Sequence, residues 1–205
     1  MSNYAAAVPR PPRTMTEIEQ ATVLRATGEH REGFRDHVLL AVALGTALRE
    51  HEIAALDVGD VLHEDGRLRR RIALRVFKRS SDEPAPQEVF LPDALWYKLG
   101  KFIAWKRSRG ESLESTAPLF VSRRKQRIAT RTLRHLFQLW QERAGLDRRF
   151  NFHALRHTCL TNLYRRTRDI RVVQKLARHR DINTSTIYAG PSDDDVLRAV
   201  RELPC

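Results

Sequence analysis

Between residues 151 and 190 the chain reads NFHALRHTCLTNLYRRTRDIRVVQKLARHRDINTSTIYAG, and several of its side chains have the chemistry to act on an anionic substrate. His153 and Arg156 stand three apart, so on a helix they project from one face, with Leu155, Cys159 and Leu163 as a neighbouring apolar stripe. An arginine stays charged and offers a planar fork that donates two parallel hydrogen bonds to a phosphate. A tyrosine, with a pKa near 10, is a poor nucleophile at neutral pH and needs a nearby base and cationic surroundings to favour the phenolate. His153 and His157 also have the spacing of a metal pair, but no acidic residue accompanies them and the surroundings are strongly cationic, which argues against zinc. His157 therefore reads as a hydrogen-bonded structural histidine.

A second group lies upstream. In GTALREHEIAALDVGDV (residues 45–61), Arg49 and Glu52 are one helical turn apart, and Lys78 follows where a hairpin strand meets its turn. Together the two groups resemble the signature of the tyrosine recombinase (lambda integrase, Xer-like) family. That signature has a first arginine box (Arg49, with Glu52 as its acidic neighbour), a hairpin lysine (Lys78), a His-x-x-Arg box (His153 and Arg156), a second histidine (His179) and a tyrosine (Tyr188). The resemblance runs from about residue 16 to about residue 190. Two departures stand out: Ala47 replaces the usual glycine before Leu-Arg, and Arg178 stands in the usual Leu-Gly-His.

The resemblance implies an α+β fold, mostly helical with a small antiparallel sheet of about three strands, acting on double-stranded DNA without metal or cofactor. Arg49 and Arg156 would clamp the phosphate with His153 and His179 as further donors, His153 would be the base for Tyr188, which would form a 3′-phosphotyrosine, Lys78 would protonate the leaving 5′ oxygen, and Glu52 would orient a basic group. Exchange of partner strands then gives site-specific recombination. Resealing of the same strand, as in a type IB topoisomerase, and a silent DNA-binding regulator are the alternatives. The order of the boxes favours the first, and the presence of every reactive side chain argues against the last. A tyrosine in a polar stretch more often only packs its ring and ties its hydroxyl in a loop, but the place of Tyr188 after His179 favours the nucleophile. The chain leaves no room for the N-terminal core-binding domain of most members, so an accessory DNA-binding protein and self-association on DNA are expected.

Composition agrees with a polyanionic partner. The 205 residues carry 37 Lys and Arg against 25 Asp and Glu, a formal charge of +12, and 41% hydrophobic residues suffice for one core. The basic residues bunch in runs at 67–79, 122–135 and 164–171, from which Arg71, Arg75, Arg123, Arg124, Lys125 and Arg131 are the expected DNA contacts. No apolar run approaches a membrane span, and the opening lacks a signal peptide's apolar region, so a cytoplasmic, nucleoid-associated protein is expected. Cys159 and Cys205 have neither disulfide nor metal spacing and read as free thiols.

The elements that must position these residues follow from periodicity. Residues 1–15, with Pro9, Pro11 and Pro12, read as an extended arm. Thr16 and Glu19 form a capping-box pattern before a first helix whose expected face is Ile18, Ala21, Val23 and Leu24. Further helices fit GFRDHVLLAVALGTAL, REHEIAAL, DALWYKLGKFIAWKRSRG, 130–144, 152–165, 170–178 and 193–202. Alternation through Ile72, Leu74 and Val76 and in QEVFLP predicts a hairpin, beside a short strand over 58–62. The catalytic domain is expected over 16–190. Residues 191–205 are expected to form a helix, capped by Ser192, that docks on a neighbouring protomer.

Overall fold

The computed structural model describes residues 13–74, 87–191 and 193–203. Helix α1 (Glu17–Glu29) opens on the expected capping box: the Thr16 hydroxyl accepts from the Glu19 N–H at 3.2 Å, and the Glu19 carboxylate accepts from the Thr16 N–H at 2.7 Å. Its inward face is narrower than expected. Val23 and Thr27, one turn apart, are buried, while Ile18 is exposed.

Helix α2 (Phe34–Thr46) is the central element. Val38 to Ala43 are all buried because this uncharged run is covered by α1, by α4 (Asp93–Ser108) and by α6 (His153–Thr167). A buried hydrogen bond from Trp140 Nε1 to Asp36 Oδ2 at 2.9 Å ties it to α5 (Thr130–Arg143). Helix α3 (Glu50–Ala55) follows at once, its first turn capped by Glu52, whose carboxylate accepts from the Arg49 N–H at 2.7 Å.

The stretch expected as a third strand is instead a 3-10 turn, Val58–Asp60. Val58, Val61 and Leu62 are buried at helical rather than alternating spacing, and the Asp60 carboxylate accepts from the Asp57 N–H at 2.8 Å, drawing the chain into a turn. Gly59 is required there, since a Cβ would meet the Ser115 carbonyl at 2.8 Å. Strands β1 (Arg71–Leu74) and β2 (Gln87–Phe90) pair antiparallel with Ile72 opposite Val89, and Ile72, Leu74 and Val89 face the core. Among the described residues the sheet therefore has two strands, and the fold is mostly helical.

Toward the C-terminus, α6 is followed by α7 (Ile170–Ala177), a one-turn α8 (Asn183–Thr186) that the sequence periodicity did not predict, and α9 (Asp193–Arg201). Ion pairing of Arg165 with Asp195 at 3.3 Å links α9 to α6, while Val196, Leu197, Val200 and Leu203 remain exposed. Ser192, Lys78, Arg75 and Val76, with residues 1–12, lie outside the described residues.

The core is in two parts. The larger fills the space around α2. The smaller gathers Ala47, Cys159, Leu160, Val173, Ala177 and Tyr188. Ala47 ends α2 in the left-handed region, φ 52°, and is fully buried. Both the backbone and the packing there oppose a larger, β-branched side chain. Ala47→Val should lower stability by about 3 kcal/mol in urea unfolding. A loss below about 1 kcal/mol would contradict this reading of the turn.

Candidate active site

Two helix ends and one buried guanidinium make the site. Carbonyls in the last turn of a helix lack intrahelical donors and carry partial negative charge. Arg156, 3% exposed, meets two of them: its Nη1 donates to the Ala47 carbonyl, which closes α2, and its Nη2 donates to the Ala177 carbonyl at 2.6 Å, which closes α7. Burial, then the neighbouring Arg49 and Arg178, lowers the Arg156 pKa to about 10, so it stays cationic at neutral pH.

The departures Ala47 and Arg178 both fall on left-handed positions, φ 52° and φ 57°, where a helix stops. A glycine at such positions carries no Cβ penalty. The replacements keep the geometry at the cost of some backbone strain.

His179 follows Arg178 directly. Its Nε2 lies 3.3 Å from Arg156 Nη2 and its Nδ1 2.9 Å from Ser185 Oγ. Arginine cannot accept, so Nε2 is the accepting nitrogen and Nδ1–H donates to the serine. Burial and the charges of Arg156 and Arg49 lower the His179 pKa to about 4, in keeping with this neutral ring. The short helix α8 supplies Ser185 and delivers Tyr188, whose ring stacks near that of His179 with centroids 6.3 Å apart.

Tyr188 is 2% exposed, and its hydroxyl lies 2.9 Å from Nδ1 of His157. Burial raises the phenol, against the opposing pull of Arg156 and Arg49. His157 is itself held neutral, its pKa lowered to about 4 by burial and by His153, Arg156 and His179. The structure thus places His157, not His153, on the tyrosine. His153 sits at the exposed start of α6 and meets the His157 ring edge to face, centroids 4.5 Å apart. The signal for His157 was available: it follows Arg156 directly and stands one turn after His153.

Arg49 projects from the start of α3 with its side chain about one-third exposed, and its Nη1 donates to Glu52 Oε1 at 3.2 Å. Glu52 is buried. Burial alone would raise its carboxyl, but Arg178, the Arg49 N–H and the Arg49 charge together hold it below the usual range. Arg49, Glu52, His153, Arg156, His179 and Tyr188 are therefore gathered by the turns after α2 and α7, the start of α6 and the end of α8.

The expected DNA contacts are spread more widely. Arg131 is exposed in the first turn of α5, one turn before Arg134, which binds the Glu50 carboxylate with two nitrogens, so it flanks the start of α3. Arg71 is exposed on β1, paired with Glu88 at 2.8 Å and stacked over Phe90. Arg123, Arg124 and Lys125 are exposed in the turn between Ser122 and Gln126. Arg123 and Lys125 line an open cleft of about 830 Å³ with Arg35, Trp105 and Arg143. That cleft is at the N-terminal end of α2, one helix length (about 20 Å) from Ala47. No helix among the described residues is long and apolar enough to cross a membrane.

Known proteins resemble this chain in sequence and in fold. The family model described as the phage integrase family matches residues 13–194. The tyrosine recombinase XerC of Corynebacterium efficiens is 28% identical over 193 residues, covering 93% of this chain and 58% of that one. XerC of Vibrio cholerae is 26% identical over 177 residues, covering 86% and 53%. The chain thus spans a little over half the length of these curated relatives. Among solved structures, the XerA recombinase superposes with a TM-score of 0.76 at 24% identity, over 97% of this chain and 68% of that one. The catalytic domain of bacteriophage HP1 integrase superposes at 0.57 with 16% identity, over 94% and 96%. These two likenesses are likenesses of fold, and the family match spans α1 to α8 with every described site residue inside it: the chain belongs to the phage integrase family.

Proposed function

We propose that the chain is the DNA-breaking and DNA-rejoining part of a site-specific recombinase, working through a 3′-phosphotyrosine. The observation that carries this reading is the Tyr188 hydroxyl 2.9 Å from a neutral histidine, with Arg156 and Arg49 near enough to act on its charge. The phenol proton passes to His157 Nδ1 as Tyr188 Oη attacks the phosphorus. A preorganised set of donors then stabilises the charge that builds on the non-bridging oxygens. Arg49 is the exposed donor. Arg156, two of whose N–H groups are committed to carbonyls, contributes mainly charge, and His153 faces the same side from the start of α6.

The phosphorus–oxygen bond to the 5′ carbon breaks as the phosphotyrosine forms, and Lys78 is the proposed proton donor to that leaving oxygen. The energy of the diester is kept in the phosphotyrosine, so a second 5′ hydroxyl reverses the step without another energy source. Double-stranded DNA is the proposed substrate. The recombinase XerH, which has the same fold at 21% identity and a TM-score of 0.68, is known bound to its difH substrate before cleavage. The relatives' names as tyrosine recombinases favour strand exchange over resealing of one strand. We place this activity in the cytoplasm, at the nucleoid. The exposed apolar residues Val196, Leu197 and Val200 of α9, with Leu203 just beyond its end, support a contact with a neighbouring protomer on DNA.

Two experiments test the reading. Nicked duplexes cut from DNA flanking the gene should give a detergent-resistant adduct at the 3′ phosphate with the wild type and none with Tyr188→Phe; an equal adduct from both would remove Tyr188 as nucleophile. The base acts only when neutral, and His157 stays neutral down to about 4. The acid limb of adduct formation should therefore lie well below the ordinary histidine value of about 6.5. His157→Gln should slow the step by about 100-fold, the scale of losing a general base. A limb centred near 6.5 with an active Gln variant would move the role to another group.

A further inference from the structure

Arg178 has no task in the mechanism above, yet its placement is costly. It ends α7 in the left-handed region, φ 57°, and its side chain is 8% exposed. Nη2 donates to Glu52 Oε2 at 2.5 Å. Nε and Nη1 are buried, and neither has a hydrogen-bond partner among the described residues. Buried donors left without partners weaken a fold, and a buried ion pair is seldom worth its desolvation. Stability alone therefore gives little reason for an arginine here.

The partner of Arg178 is what connects it to the chemistry. Glu52 is 5% exposed and holds three donors from two residues: Arg178 Nη2 and the Arg49 N–H on Oε2, and Arg49 Nη1 on Oε1 at 3.2 Å. Arg49 and Glu52 alone would sum to no net charge, and the fork of Arg49 would be drawn to the carboxylate. With Arg178 the trio carries one net positive charge. The only member with substantial exposure is Arg49, its side chain 34% open against 5% and 8% for the other two.

We propose that Arg178 is a positioning residue for DNA cleavage: by neutralising Glu52 it leaves Arg49 held in place by that carboxylate but free in charge to meet the phosphate. Arg178 itself need not touch DNA, which its burial makes difficult. The inference rests on the phosphotyrosine reading and adds to it a residue that stands where the resembling family has glycine.

The test is a mutant cycle in the full chain, reading single-turnover adduct formation and DNA affinity on the nicked duplex that yields the wild-type adduct. Arg178→Met should slow adduct formation by about 30-fold, less than the roughly 100-fold or more for losing a preorganised donor outright, because Arg49 itself remains. Its DNA affinity should stay within about threefold of the wild type, because phosphate contacts elsewhere dominate binding. Combining it with Glu52→Gln removes the charge that Arg178 offsets, and the double variant should recover to within about fivefold of the wild type, the strong coupling expected of contacting residues. A double variant no faster than Arg178→Met, an Arg178→Met that cleaves at the wild-type rate, or a loss of affinity equal to the loss of rate overturns the proposal.

If thermal unfolding shows that Arg178→Met does not fold, Arg178→Lys decides. It keeps the charge and should cleave within about threefold of the wild type, and a loss of about tenfold or more overturns the role. No adduct from the wild type on any flanking duplex would remove the phosphotyrosine reading and this inference with it. A wild-type adduct with a failed cycle removes the inference alone.

Discussion

Arg156 has its guanidinium between the ends of α2 and α7. Its hydrogen bonds to the Ala47 and Ala177 carbonyls satisfy acceptors that α2 and α7 leave open. Without that cation, two partially negative helix ends would face one another in a site with little solvent. The same group that joins the C-terminal segment to the central helix also sets the electrostatics there. It helps hold His157 and His179 neutral, and it lowers the phenol of Tyr188 against the effect of burial. Fold closure and reactivity are thus two consequences of one buried charge.

The rest of the site is a balance around that charge. Arg49, Arg156 and Arg178 lie near a single buried carboxylate, Glu52, so the cluster is cationic before any substrate arrives. Histidines in such a field lose their protons first. A neutral ring can accept: His179 does so from Arg156, and Nδ1 of His157 lies within hydrogen-bond distance of the phenol. A phosphate entering the site would meet fixed donors rather than side chains that must rearrange, which is where preorganised electrostatic stabilisation has its effect.

Much of this was legible in the sequence, for reasons that differ from place to place. The helix that carries His153 and Arg156 and the capping box at Thr16 are local patterns, and local patterns survive folding. The two departures from the family's glycines, Ala47 and Arg178, were visible in the sequence, and both fall on left-handed backbone positions. What failed to show depends on partners distant in sequence. The turn at Val58–Asp60, closed locally by the Asp60 carboxylate, is also held by hydrogen bonds from Val58 and Gly59 to Ala117 and Ser115, and alternation of types could not report those. The contact of His157 with Tyr188 spans 31 residues, and the pairing of Arg178 with Glu52 spans 126. One basic run proved to be two surfaces: Arg131 flanks the start of α3, whereas Arg123 and Lys125 line a cleft at the far end of α2.

Arg156 holds the segment carrying His179 and Tyr188 against the end of α2. Hydrogen exchange of an Arg156→Lys variant tests it most directly, since a lysine keeps the charge but cannot bridge two carbonyls with a planar fork. Amides of residues 170–188 should lose protection by about tenfold or more while those of α4 keep theirs. Unchanged protection over 170–188 would show that this segment is held by its apolar contacts alone and not by Arg156.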